Sequence, residues 1–144
     1  MQYGSHRKGT VYTQKLYIVM VCDDAAEAAQ ATHEILQVNN GVLVTYRRAE
    51  DVLLKGPSGR VALIILANHE APQATEKVLS WMRHRWPKCP IAVIGEAGAA
   101  GLEMAARKGG ASYLARPVTP EQWAAMIGHV LAAEGRTTTD KRSG

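Results

Sequence analysis

The stretch Val61-Ala62-Leu63-Ile64-Ile65-Leu66-Ala67 decides the fold of this chain. Its seven consecutive apolar residues are followed by Asn68-His69-Glu70-Ala71-Pro72, which ends the run with polar residues and a proline. Such a run is typical of a strand buried on both faces, as at the centre of a parallel sheet. Ligands of open α/β sheets bind beyond the carboxyl ends of the strands, so the end at Ala67 marks where a site is expected. Ala67 itself has no reactive group.

Four further apolar stretches predict strands, and five helical patterns alternate with the strands. The predicted strands are residues 15–21, 41–46, 61–67, 90–94 and 112–115, and the predicted helices are 24–38, 50–55, 72–86, 97–108 and 119–131. Short connections between alternating strands and helices predict a parallel sheet with helices on both faces. Because crossovers are right-handed, we expect the flavodoxin-like α/β fold, doubly wound with strand order 2-1-3-4-5, in three α/β/α layers.

Two helix starts carry capping signals. Asp24 with Glu27, and Thr119 with Gln122, have the spacing at which each side chain of a pair satisfies a free amide of the first turn. Asp24 is therefore expected to be a helix cap rather than a metal ligand.

Length, composition and charge indicate one domain. The chain has 144 residues, 47% of them hydrophobic, which is enough for one core. We expect a domain at 14–134 between flexible tails at 1–13 and 135–144. The net charge is +4, and each tail carries +2, so the predicted domain has no net charge. Its basicity therefore does not indicate nucleic-acid binding.

The sequence predicts neither a membrane-spanning segment nor a signal peptide. No apolar run approaches the roughly 20 residues that span a bilayer, and the first residues lack the apolar segment of a signal peptide. A cytoplasmic location is expected. Cys22 and Cys89 are predicted at opposite edges of the sheet, too far apart for a disulfide, so two reduced thiols are expected.

The most specific motif is Gly110-Ala111-Ser112-Tyr113-Leu114-Ala115-Arg116-Pro117. It is similar to the Gly-Ala-x-x-Tyr-x-x-Lys-Pro signature at the fifth strand of response regulator receiver domains, the CheY-like family. The acid cluster Cys22-Asp23-Asp24 and its spacing to the central strand add to this resemblance, which covers residues 14–134. The resemblance implies a two-component signal-transduction or phosphorelay domain with a cis bond before Pro117.

Carried over residue by residue, the resemblance implies a degenerate phosphorylation pocket. Ala67 stands at the phosphate-accepting aspartate, Gly95 at the hydroxyl residue, Arg116 at the lysine, and Cys22 with Asp23 at the magnesium-binding acids. A methyl group cannot attack phosphorus, and magnesium needs more oxygen ligands than Asp23 supplies. We therefore expect a phosphorylation-incompetent pseudo-receiver without metal or cofactor. Arg116 is expected to turn to another anion, such as Asp23 or Glu96, or out to solvent.

The resemblance also indicates how such a domain would act. Tyr113 falls at the family's aromatic switch residue, and with Gly95 beneath it we expect the ring to stay inward without any signal. The expected partners are proteins, such as an output domain, a kinase or a second copy that forms a homodimer, bound through the fourth helix, fifth strand and fifth helix. The candidate residues there are Glu103, Arg107, Lys108, Tyr113, Gln122 and Trp123. The helical pattern also predicts Trp123 in the core stripe of the fifth helix, with Met126, Ile127, Val130 and Leu131.

Alternative functions of the same crevice are disfavoured by its residues. A small-ligand or enzymatic α/β domain is disfavoured because the acidic turn after the first strand repels phosphates and no nucleophile is apparent. A metal site at His69, Glu70 and Asp23 lacks an evident further ligand. Phosphorylation at Asp23 or Asp24 would need an acid in the wrong place. Cys22 is expected to be a small buried residue, with a redox role as the alternative.

A basic and aromatic cluster lies at the end of the third predicted helix. Its members are Trp81, Arg83, His84, Arg85, Trp86 and Lys88. Interleaved aromatic and basic residues also occur at nucleic-acid contacts. However, basic residues near a helix C-terminus complement the helix dipole, and Trp86 continues the core stripe. We expect no nucleic-acid partner.

Overall fold

A computed structural model describes residues 15–35, 41–67 and 69–130 of the chain. The five strands are β1 (Leu16–Val21), β2 (Gly41–Tyr46), β3 (Arg60–Leu66), β4 (Ile91–Gly95) and β5 (Ser112–Ala115). They form one parallel sheet with the order β2-β1-β3-β4-β5. The predicted topology is confirmed, and β3 is its central strand.

Five helices alternate with the strands. They are α1 (Ala25–Ile35), α2 (Ala49–Lys55), α3 (Pro72–Arg85), α4 (Ala100–Lys108) and α5, which covers residues 120–130. Helix α4 begins three residues later than predicted, because Gly98 adopts a φ of +82° in a turn that the Ala99 amide closes onto the Glu96 carbonyl at 3.3 Å. The predicted continuations of α1 and α5, and both predicted tails, lie outside the described residues.

The two predicted capping pairs form differently. Thr119 and Gln122 make both reciprocal bonds, at 3.0 and 3.1 Å, as predicted. The Asp24 carboxylate accepts the amides of Ala26 and Glu27 at 2.8 and 3.4 Å. However, the expected return bond from Glu27 is replaced, because the Glu27 carboxylate binds Arg116 and the Asp24 amide donates to the Cys22 sulfur.

Two apolar layers, one on each face of the sheet, hold the fold together. Ile18, Met20, Leu63 and Ile65 point from β1 and β3 towards α1 and α5. The alternating residues of the same strands point towards α2, α3 and α4. Residues 61–67 are all buried, as expected for a strand covered on both faces.

Trp123 of α5 belongs to the first of these layers. Its side chain is fully buried, and its indole Nε1 donates to Gln30 Oε1 at 2.9 Å. The prediction that Trp123 lies on a contact surface is therefore wrong. The apolar stripe of α5 turns this residue into the core, while its neighbour Gln122 stays exposed at the helix start.

The two cysteines and the lengths of the helices bear on two further predictions. Cys22 and Cys89 are both buried thiols that are not joined in a disulfide, as predicted. Among the described residues, no helix combines the length and apolar character that crossing a bilayer requires.

Candidate functional site

The sheet register brings four chain segments together at its carboxyl edge. Val21 pairs with Leu66, and Gly95 pairs with Ala115, so the residues that follow β1, β3, β4 and β5 meet in one crevice. Backbone bonds extend this pairing beyond the strands, since the Ala67 amide donates to Val21 at 2.7 Å and the Arg116 amide donates to Gly95 at 2.7 Å. The predicted pocket residues are thus neighbours in space.

The Arg116 side chain fills this crevice. Its Nε and Nη2 donate to the two carboxylate oxygens of Glu27 at 2.8 and 3.3 Å, and Nη1 lies 3.4 Å from Glu96 Oε2. Nη2 also donates to the Ala67 carbonyl. The side chain is only 13% exposed and that of Glu27 only 12%. The guanidinium therefore lies directly against the end of the central strand.

Electrostatics favour the charged form of this arginine. Burial opposes the charge, but the hydrogen bonds and attraction of Glu27, together with the attraction of Glu96, outweigh it and raise the pKa of Arg116. The expected pairing with Glu96 is confirmed, whereas the alternatives of Asp23 and solvent are wrong. Glu27 was missed as a partner because its spacing to Asp24 suggested a capping box.

Asp23 pairs with a histidine instead. His69 Nδ1 lies 3.4 Å from Asp23 Oδ1, and His69 Nε2 lies 3.9 Å from Glu96 Oε2, contacts that are ion pairs only when the ring is protonated. All three side chains are about half exposed. The crevice thus carries a row of alternating acidic and basic groups from Asp23 to Glu27.

These residues do not fit the magnesium ion that the resemblance implies. A divalent cation would need several oxygen ligands where the Arg116 guanidinium now binds Glu27 and the Ala67 carbonyl. The fixed positive charge would also repel the ion. Among the described residues, no three His, Cys, Asp or Glu side chains are grouped to hold a metal ion.

Cys22 packs at the floor of the crevice. The residue is only 7% exposed. Its sulfur lies 3.1 Å from the Asp24 carbonyl oxygen and accepts the Asp24 amide at 3.3 Å. Burial raises the pKa of this thiol, and the nearby carboxylates of Glu27, Asp23 and Asp24 raise it further. The reactive thiolate is therefore disfavoured, which argues against the redox alternative.

Tyr113 lies over Gly95. Its hydroxyl donates to the Glu96 carbonyl at 2.7 Å. A Cβ atom at Gly95 would lie 2.5 Å from that hydroxyl and 2.5 Å from Leu102 Cδ2. Burial raises the pKa of the Tyr113 phenol, and the carboxylate of Glu103 adds to the shift. The inward ring thus occupies space that a side chain at position 95 would need.

The other predicted contact residues, apart from the buried Trp123, lie at the surface. Arg107 and Glu103 form an exposed pair on α4, with Nη2 and Oε2 at 2.9 Å, and Lys108 and Gln122 are exposed. Met104, between Glu103 and Arg107 along α4, is 70% exposed. Sequence reasoning missed Met104, although its place on the polar side of the helical pattern could have revealed it.

The basic and aromatic cluster at the end of α3 is divided in the structure. Arg83 is a structural residue, because its guanidinium donates to the carbonyls of Cys89 and Gly110 at 2.7 and 2.6 Å. Trp86 is half-buried against the core, and the Arg85 guanidinium stacks 4.7 Å from its ring centroid. Trp81, which precedes these residues in α3, is 37% exposed.

Comparison with solved structures places this architecture among receiver domains. The similar structures include the BeF3-activated receiver domain of DrrB, with a TM-score of 0.68 and 17% identity over 82% of this chain and 98% of that one. A response regulator from Thermotoga maritima has a TM-score of 0.70 and 11% identity, with 82% and 98% covered. The signal receiver domain of an HD domain-containing protein from Pseudomonas fluorescens Pf-5 has a TM-score of 0.70 and 17% identity, with 88% and 94% covered.

These likenesses establish the CheY-like, flavodoxin-like fold. The cis bond between Arg116 and Pro117, which the resemblance implied, is also present. Scans against models of protein families and against curated proteins find no match.

Proposed function

We propose that this chain is a cytoplasmic signalling module of the receiver type that acts by binding another protein and does not depend on phosphorylation. One observation carries the proposal. The Arg116 guanidinium binds the Ala67 carbonyl and pairs with Glu27, so a fixed internal cation fills the crevice in which receivers hold their phosphoryl group and magnesium.

The chemistry of the neighbouring residues supports the same proposal. Ala67 has no carboxylate that could form an acyl phosphate, and Gly95 has no hydroxyl that could bind phosphoryl oxygens. The Asp23 carboxylate lies 3.4 Å from His69 Nδ1 at the rim of the crevice. A ligand-binding or enzymatic use of the crevice is less well supported, because the guanidinium takes the space that a substrate would need.

The inward position of Tyr113 gives the proposed module a single state. The ring fits against Gly95, and its hydroxyl bond to Glu96 holds it there without any signal. The face formed by α4, β5 and α5 would then be displayed constantly to an output domain, a kinase or a second copy. Its exposed groups are Glu103, Met104, Arg107, Lys108 and Gln122.

Incubation with acetyl phosphate and magnesium should leave the mass of the protein unchanged. Beryllofluoride with magnesium should likewise leave the amide chemical shifts of residues around Ala67 unchanged, since no carboxylate is available there. The receiver domain of DrrB, whose solved structure is described as BeF3-activated, is the positive control. A phosphoryl adduct mapped to Asp23 or Asp24 would contradict the proposal and show retained phosphorylation.

Gly95→Ala should expel the Tyr113 ring. The new Cβ would lie 2.5 Å from both the phenol oxygen and Leu102 Cδ2, so both side chains must move. We expect the free energy of unfolding to fall by about 1–3 kcal/mol, from strain and the lost hydrogen bond to Glu96. The pKa of Tyr113 should fall towards its ordinary value of about 10, because the ring leaves its buried site. Urea unfolding and ultraviolet titration of the phenol measure both effects.

The raised pKa of Tyr113 also fixes the sign of a pH effect. The folded state holds the phenol proton more tightly than the unfolded state, so this contribution to stability is present below about pH 10 and is lost as the pH rises through the folded pKa. Gly95→Ala should reduce this loss of stability at alkaline pH.

Gly128→Ala is the matched control for Gly95→Ala, because nothing lies within 4 Å of its Cβ position on α5, and it should stabilise the helix by about 0.5–1 kcal/mol. Unchanged stability and phenol titration in Gly95→Ala would refute the packing argument.

A further inference from the structure

A groove of about 480 Å³ opens at the amino edge of the sheet, opposite the crevice. Residues 57–61, from the turn before β3 into its first residues, form one wall. Residues 85–90, from the end of α3 to the start of β4, form the other. Its volume suits a few side chains of a bound segment.

The charged residues that line this groove are all positive. Of the residues that line it, Arg60, Arg85 and Lys88 are basic, and none is acidic. The acidic groups of the crevice, by contrast, follow the carboxyl ends of the strands. The groove is therefore basic, whereas the crevice at the other edge of the sheet combines acidic and basic groups.

The floor and rim of the groove are apolar and stiff. Pro57, Pro87 and Pro90 line it and restrict the backbone on both walls. The half-buried ring of Trp86 forms part of the surface, with the Arg85 guanidinium stacked on it at 4.7 Å from the centroid. That stacking holds a positive group in place over an apolar surface, which lowers the entropic cost of binding.

We propose that this groove binds a short acidic segment of a partner protein that also carries an apolar anchor residue. Carboxylates would pair with Arg85 and Lys88, and the anchor would pack between Trp86 and the prolines. A nucleic acid fits less well, because Arg85 already covers one face of the Trp86 ring and Arg83 is committed to backbone carbonyls. The inference is independent of the crevice and would hold even if phosphorylation were found there.

The proposal is tested with ¹⁵N-labelled full chain and a capped decapeptide of alternating glutamate and leucine. We expect saturable shifts confined to the groove, including the Gly59 amide and the Trp86 indole. Affinity should fall severalfold between 50 and 300 mM sodium chloride, because the pairs lie near the surface and are screened. Arg85→Glu combined with Lys88→Glu should weaken binding by about tenfold or more.

Three controls make the test decisive. The double variant Arg47→Glu and Lys77→Glu makes the same change in net charge away from the groove and should bind the peptide like the parent chain. A lysine and leucine decapeptide should give no groove shifts. No saturable shift with the acidic peptide, equal loss in both double variants, or tighter binding of a ten-nucleotide oligothymidylate would each overturn the proposal.

Discussion

Replacing Arg116 with methionine should lower the free energy of unfolding by about 3–5 kcal/mol, one of the two largest effects expected in this protein. The substitution leaves the Glu27 carboxylate, which is only 12% exposed, without its cation. The Ala67 carbonyl also loses a donor. An uncompensated charge at a poorly hydrated site costs far more than the pair itself contributes, so the loss should be visible as a lower urea midpoint.

Further substitutions distinguish the contribution of the Arg116–Glu27 ion pair from the cost of leaving one of its charges unpaired. Arg116→Lys should recover only part of the loss, since an ammonium cannot make the two parallel bonds to Glu27. Arg116→Met combined with Glu27→Met should be much milder than Arg116→Met alone, because an apolar pair of similar volume leaves no buried charge. A double-mutant cycle with Glu27→Gln gives the coupling between the two side chains.

The chain offers a matched control in Arg107. It also pairs with a glutamate, at 2.9 Å, but the side chains of Arg107 and Glu103 are 62% and 44% exposed. Arg107→Met should therefore change stability by less than about 1 kcal/mol. Equal losses for Arg107→Met and Arg116→Met would contradict the buried, crevice-filling role assigned to Arg116.

Trp123→Ala should destabilise the fold by a comparable amount, about 3–5 kcal/mol. The indole is fully buried between the sheet and α1, so truncation removes a large apolar contact and leaves a cavity. Trp123→Phe should cost less, because it keeps most of the ring volume and loses the indole bond to Gln30. Gln30 is exposed and can bond water instead. Thermal or urea unfolding measures both.

Trp81 provides the control for this prediction. It is 37% exposed on α3, so Trp81→Ala should remove less buried area and cost clearly less than Trp123→Ala. If Trp123→Ala instead left stability unchanged and altered only self-association, Trp123 would belong to a contact surface after all.

The proposed mode of action follows from the positions of Arg116 and Tyr113. Under this proposal, a crevice closed by the Arg116 pair would not report phosphorylation, and a Tyr113 ring seated on Gly95 would have no second position supported by a hydroxyl residue. The module would therefore present one face continuously, and regulation would lie in whether its partner is present.

The sequence by itself determined the architecture and which residues stand at the ends of the strands. Apolar runs such as 61–67, alternating with helical patterns, were sufficient for the sheet order because burial and right-handed crossovers leave few topologies. The local capping box of Thr119 and Gln122 was also predicted correctly, since its partners lie three residues apart. That Ala67, Gly95 and Arg116 stand at strand ends could be read directly from the pattern.

Only the tertiary structure decided which side chains meet at those ends. Arg116 pairs with Glu27, 89 residues away, because α1 brings that carboxylate over the crevice. The local bond that Glu27 was predicted to make to Asp24 does not form. The sequence left two places for Trp123, the core stripe of α5 and the contact face implied by the resemblance, and packing of the whole apolar stripe against the sheet decided for the core. Long-range charge pairing and helix orientation depend on the assembled layers, and spacing along the chain does not specify them.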